Sequence, residues 1–170
     1  MQKTPKVSLV KSPDSYSGVS SALKIIEKDL ILALKGKKRV VIKPNMVSIR
    51  HPLASTPVEA VRAVLDFLKP LVKQEIIIAE GSAENTEKGF KKLRFYDLAK
   101  DYKPSLKSSL RSNYKIKFVD LNKDVVGKFA EASDSVGNPL KIGIAKAITE
   151  ADFIISVTRP KTWHQTESVP

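Results

Sequence analysis

The chain has no cysteine. It therefore forms no disulfide, offers no thiolate to a metal, holds no iron–sulfur cluster and has no cysteine nucleophile. That fits a reducing compartment, and the cytoplasm is the expected location. Histidine is scarce as well. His51 and His164 are the only two and stand far apart, so no metal site is expected. Long apolar runs are missing. No stretch approaches the roughly 20 residues of a membrane-spanning helix. The N-terminal "MQKTPKVSLVKSPD" has no signal-peptide core, so no membrane partner is expected. Glycine is sparse and never forms a phosphate loop, because "GSAENTEKG" lacks the spacing of either common nucleotide fingerprint. No serine sits in a nucleophile elbow.

Acidic residues are also few beside the basic ones. Thirty Lys and Arg against 18 Asp and Glu leave 30 − 18 = +12. Such a field favours anionic partners. The excess is concentrated between Lys88 and Lys117, where Phe90, Phe95, Tyr96, Tyr102 and Tyr114 are interleaved with the cations. Two readings apply to this stretch. Cations with aromatics can hold phosphates and stack single-stranded bases. Alternatively the aromatics pack inward and the lysines solvate an outer face. No nucleic-acid module is recognisable in it.

What is present is an alternation of strand-like and helix-like segments. The 170 residues suit one domain. "KVSLVK" (Lys6 to Lys11) alternates and reads as a strand. Val19, Leu23, Ile26 and Leu30 recur at helical spacing, which predicts a helix from about Gly18 to Leu34, stopped near Gly36. "RVVIKPN" gives a short strand, Val40 to Lys43, ended by Pro44. In "STPVEAVRAVLDFLKP", Thr56 reads as a cap, Pro57 as the first helical residue and Glu59 as the far side of a capping box. "EIIIAEGS" contains a continuously apolar strand, Glu75 to Ala79, of the kind buried on both faces of a parallel sheet. "NTEKGF" opens a helix to about Lys100. The basic segment around Pro104 reads as an insertion or a short second helix. Ile116 to Leu121 is the next strand. "VVGKFAEA" and "LKIGIAKA" flank the turn cluster "SDSVGNP" and predict an antiparallel hairpin. "DFIISV" is the last strand.

This order predicts an α/β layer fold with a mostly parallel sheet, flanking helices and a hairpin before the last strand. Open parallel sheets bind ligands beyond the carboxyl ends of their strands. Lys43, Pro44 and Asn45 follow one strand. Glu80, Gly81 and Ser82 follow another, with Thr86 opening the next helix. Thr158, Arg159, Lys161, Thr162 and His164 follow the last. If these strands are neighbours, the three groups meet at one edge. Lysines give point charges, arginine a rigid fork, glycine close backbone approach, and helix N-termini add N–H donors. The set suits a phosphate or carboxylate. Glu80 could orient a lysine, bind a hydroxyl or act as a base. Plainer readings stand beside these: Lys43 as a solvated strand end, Asn45 as a turn residue, Thr86 as a helix cap, Trp163 as a packing residue.

"VVIKPNMVS", "ASTPVEAVRAVLDFLK", "EIIIAEGSAENT" and "GNPLKIGIAKAITEADFIISVTRPKT", in this order, resemble the family catalogued as domain of unknown function 362. The resemblance runs from about Lys6 to Thr162. It implies an α/β fold distantly similar to a domain of nickel-dependent lactate racemases, and no particular reaction. It maps the family's strand-end elements onto Lys43, Pro44 and Asn45, onto Glu80, Gly81 and Ser82, and onto Pro160, Lys161 and Thr162. Some members carry ferredoxin-like cysteine clusters, which this chain cannot form. Two departures follow. Trp163 separates Thr162 from His164, where members usually read Lys-Thr-His, so His164 is not carried over. Members also continue beyond this point, so the chain is expected to be the N-terminal part of a longer architecture, or a truncated product. Three functional expectations result: a small anionic ligand at the sheet edge, with cofactor and reaction unknown; a nucleic-acid surface at Lys88 to Lys117; or a fragment that forms a homodimer through an exposed sheet edge.

Overall fold

The computed structural model describes residues 4–72, 75–102 and 115–160. Four parallel strands form the main sheet: β1 (Arg39–Pro44), β2 (Glu75–Glu80), β3 (Lys115–Asp120) and β6 (Phe153–Val157), in the order β3-β2-β1-β6. A separate antiparallel pair consists of β4 (Val126–Ser133) and β5 (Pro139–Ala145). Helices α1 (Ser15–Ile25) and α2 (Glu27–Leu34) precede β1. Helix α3 (Val58–Leu68) joins β1 to β2, and α4 (Thr86–Lys92) and α5 (Phe95–Lys100) follow β2. The short α6 (Lys146–Thr149) leads into β6. The expected α/β class is therefore what the chain adopts.

The central strands are β-branched runs with no polar residue until their ends. Val40, Val41, Ile42, Ile76, Ile77 and Ile78 are all fully buried, each contributing roughly 1.5–3 kcal/mol by transfer from water. Period-two alternation sorts them onto two faces. Val40, Ile42, Ile76 and Ile78 pack with Val61, Leu65 and Leu68 of α3 and with Phe90, Phe95 and Leu98 of α4 and α5. Val41, Ile77 and Ala79 pack on the other face with Val119, Ile148 and Ala151. Right-handed crossovers account for this division. From β1 to β2 to β3 the chain advances in one direction, which keeps α3, α4 and α5 on one face. The return from β3 to β6 runs the other way, so α6 lies on the opposite face.

Four local expectations are corrected. Lys6 to Lys11 is not a strand: it lies along the helices, with Lys6 Nζ donating to Asp29 at 2.6 Å and Ser8 Oγ to the Ala22 carbonyl at 2.8 Å. Its alternating Val7 and Leu9 point to solvent. The first helix starts at Ser15, because the Asp14 carboxylate caps it by accepting from Ser17 N. It breaks at Ile26, so the span to Leu34 is two helices. The helix to Lys100 is also two, interrupted at Arg94, which adopts the left-handed conformation at φ 66°. Pro57 is the N-cap residue of α3, not its first helical residue, and Glu59 pairs with Arg62 rather than closing a capping box. The segment around Pro104 lies outside the described residues.

Candidate functional site

Strand β1 has β2 on one side and β6 on the other, in parallel register from Arg39↔Glu75 and from Val40↔Phe153. The carboxyl ends of these three strands are therefore adjacent. The strand order reverses between β1 and β6, which is where open α/β sheets leave a ligand crevice.

Two of the sequence-predicted residues meet directly. Lys43 Nζ donates to Glu80 Oε2 at 2.9 Å and more weakly to the Pro44 carbonyl at 3.4 Å. An ammonium has three donors, so among the described residues one N–H is left over. The two side chains differ sharply in access: Lys43 is 36% exposed and Glu80 only 6%. Glu80 Oε1 accepts from the amide of Gly81 at 3.1 Å. Glu80 is therefore held from two sides, and it fixes the position of a cation that solvent can reach.

Gly81 is small for a reason of packing. A Cβ there would stand 2.9 Å from Asn122 Oδ1 and 3.3 Å from Leu121 Cβ. Ser82 is buried and fully engaged. Its hydroxyl donates to the Met46 carbonyl at 2.7 Å and accepts from Glu84 N, its amide donates to Thr86 Oγ1, and its carbonyl accepts from Asn122 Nδ2 at 2.8 Å. These bonds tie the turn after β2 to the segments after β1 and β3. Thr86 is the first residue of α4, while Asn85 is the cap that accepts from Lys88 N.

Asn45 is joined to a residue that sequence reading assigned elsewhere. Asn45 N donates to Thr56 Oγ1 at 2.8 Å, and the same hydroxyl donates to the Val157 carbonyl at 2.6 Å. The main chain adds a bond from Thr56 N to the Asn45 carbonyl. Thr56, buried to 2%, thus staples the end of β1 to the end of β6 across the crevice.

Arg159 lies beyond β6 but turns from the ion pair. Its Nη1 donates to the Leu53 carbonyl at 3.0 Å. It lines a hollow of about 400 Å³ with Ser12 and Ser15 near the start of α1 and Pro57 before α3; neither Lys43 nor Glu80 lines that hollow. Lys161, Thr162, Trp163 and His164 lie outside the described residues. His51 is exposed on the loop after β1, its amide donating to Ser48 Oγ. Among the described residues no group of three or more His, Asp or Glu side chains could hold a metal ion, and no helix is long and apolar enough to cross a membrane.

The end of β3 contributes residues that the strand-end rule would have found had it been applied there. Asp120 Oδ1 accepts from Asn122 N at 3.1 Å, and Lys123 pairs with Glu87 at 2.9 Å and lies 3.8 Å from Asp120. The hydrogen bond to Glu87, with its charge, raises the Lys123 pKa. Burial, reinforced by the charges of Glu87 and Asp120, raises that of the Tyr96 phenol. In the basic stretch, Phe90 and Phe95 are core residues in edge-to-face contact at 6.0 Å, and Phe118 stands edge-on to Tyr96 at 4.7 Å. Tyr102 is buried and donates to Asp66 at 2.8 Å.

Fold and site together define an α/β domain with a parallel sheet whose polar residues gather at the carboxyl ends of its inner strands. The chain belongs to the family described as Domain of unknown function (DUF362), which matches residues 40–168. No curated protein and no solved structure matches it.

Proposed function

We propose that the carboxyl edge of the sheet binds a small anionic ligand, carboxylate or phosphate, with the Lys43 ammonium as its principal contact. The observation that carries this reading is the Lys43–Glu80 pair. A nearly inaccessible carboxylate holds a half-exposed ammonium at the end of a central strand, with one N–H left for a ligand. Glu80 is the positioning residue. Gly81 and Ser82 shape the adjoining turn. Asn45 fixes the strand end. Lys161 and Thr162, which follow β6 in the sequence, are further candidate contacts in this reading, as is Arg159 if its guanidinium leaves the Leu53 carbonyl to which it donates. The pairing of Lys43 with a carboxylate favours a ligand of low charge over a polyphosphate, since the local field is that of an ion pair and not of a free cation. A 2-hydroxy acid therefore belongs in any ligand panel, as does inorganic phosphate. The protein is taken to act in the cytoplasm, following its cysteine-free composition.

Thermal denaturation in the presence of phosphate, a nucleotide and 2-hydroxy acids tests the reading. A small anion raises Tm of the wild type and not of Lys43→Ala. If no anion shifts Tm, or if the shift survives in Lys43→Ala, the reading fails. A nucleic-acid surface is the weaker reading, because Phe90, Phe95 and Tyr102 are buried and offer no face on which bases could stack. Strand β6 has no hydrogen-bonded neighbour on its outer side among the described residues. A homodimer would use that edge, and light scattering reads it directly.

A further inference from the structure

At the amino end of the sheet, opposite the Lys43–Glu80 edge, α2 leaves an apolar ridge uncovered. Leu34 is buried and Leu30 half-buried, whereas Ile31 and Leu32 are exposed, as is Ile25 at the end of α1. Leu32 is 60% exposed and stands between two hollows. One, of about 570 Å³, lies between α2 and the end of α3 and is lined by Ile31, Leu32, Pro70 and Leu71, with Lys28 and Lys35 at its sides. The other, of about 780 Å³, is lined by Ile26, Leu30, Leu32 and Ala33, with the Lys6–Asp29 pair beside it. Lys28, Ile31, Leu32 and Lys35 follow helical i, i+3, i+4, i+7 spacing and so share one face. Lys24, Lys37 and Lys38 add exposed cations around it.

We infer that this face docks an acidic amphipathic helix of a partner protein. A ridge with a hollow on each side receives apolar side chains spaced one helical turn apart, the helix-in-groove mode of recognition. The lysines at its margin select acidic flanks on the partner. A second copy of this chain is disfavoured, since two such faces would oppose lysine to lysine. A flat lipid surface would leave both hollows unfilled.

The test uses the full chain and a labelled synthetic peptide with leucines at helical i, i+3, i+4 and i+7 positions and glutamates elsewhere. The peptide binds the wild type by fluorescence anisotropy. The neutral, exposed changes Leu32→Ser and Ile31→Ser each weaken it at least about tenfold, as truncating an interface anchor does. Lys91→Glu with Lys92→Glu, on the distant exposed face of α4, leaves affinity unchanged. Absence of binding overturns the proposal. So does equal binding by Leu32→Ser, which would mean attraction by net charge alone. Two further results also overturn it: phosphatidylglycerol vesicles bound through Leu32 while the peptide is not, or a wild-type dimer that Leu32→Ser dissolves.

Discussion

Changing Thr56 to valine removes one hydroxyl and almost no volume. In the folded protein that hydroxyl accepts from Asn45 N at 2.8 Å and donates to the Val157 carbonyl at 2.6 Å, in a site shielded from water. Valine fills the space but leaves both main-chain groups without this partner. Each such loss costs about 1–3 kcal/mol, so losing both in Thr56→Val is expected to destabilise by about 2–6 kcal/mol. That is a large share of the roughly 5–15 kcal/mol by which domains of this size are stable. Thr56→Ser keeps the hydroxyl and loses one methyl, with an expected cost near 0.8 kcal/mol. Urea denaturation followed by circular dichroism gives both values. The capping-box reading predicts something different: a loss of about 1 kcal/mol, typical of a cap. A Thr56→Val cost of about 1 kcal/mol or less, or a serine variant as damaged as the valine one, would refute the staple between β1 and β6.

Other consequences are as specific. A methyl at Gly127 would overlap the Thr149 hydroxyl and lie 2.7 Å from Lys146 Cα, which is backbone and cannot swing aside. Gly127→Ala should therefore lower stability by about 1–3 kcal/mol or more and loosen the β4–β5 hairpin from α6, read as faster hydrogen exchange in both strands. The Asp152 carboxyl accepts from the amides of Lys38 and Arg39, which holds its pKa below the ordinary aspartate value. Its folded form binds a proton less readily than its unfolded form. The stability it contributes is complete above about pH 4 and is lost as pH falls through the depressed folded value. Acid denaturation should be less steep in Asp152→Ala than in the wild type, and identical acid profiles would contradict this. Gly81→Ala should displace the Asn122 side chain from the Ser82 carbonyl, seen as a chemical-shift change at Asn122 Nδ2, while Gly36→Ala, strained at φ 76° but with no atom within reach of its Cβ, should cost stability and leave that resonance unmoved.

The strands that frame the site were legible because their signal is strong and local. "VVI" and "EIII" are apolar without interruption, a pattern that only burial on both faces explains. Pro44 then stops β1, and Gly81 follows β2. The hairpin turn was legible for the same reason. Asp134 accepts from Val136 N and Asn138 N, and Gly137 takes φ 90°. The failures have a common cause. Lys6 to Lys11 alternates as a strand does, but alternation does not say whether a sheet edge is free to receive it. Arg94 carries no sequence mark of its left-handed conformation, and the break it makes lies between Phe90 and Phe95, which meet edge-to-face in the core. Thr56 satisfied a local capping pattern, yet its hydroxyl is taken by a carbonyl 101 residues away. A motif read along the chain cannot detect a partner that tertiary structure supplies. Arg159 shows the same limit. Its position after β6 is read from the sequence, but the turn of its guanidinium toward Leu53 is not.

The Lys43–Glu80 pair carries the functional account, and calorimetric titration tests it most directly. Phosphate and a 2-hydroxy acid would each be titrated into the wild type, Lys43→Ala and Lys91→Ala. Saturable binding of at least one of them is expected for the wild type and for Lys91→Ala, with a loss of about tenfold or more in Lys43→Ala, worth about 1.4 kcal/mol. Equal affinity in all three proteins, or no heat of binding in any, would contradict it.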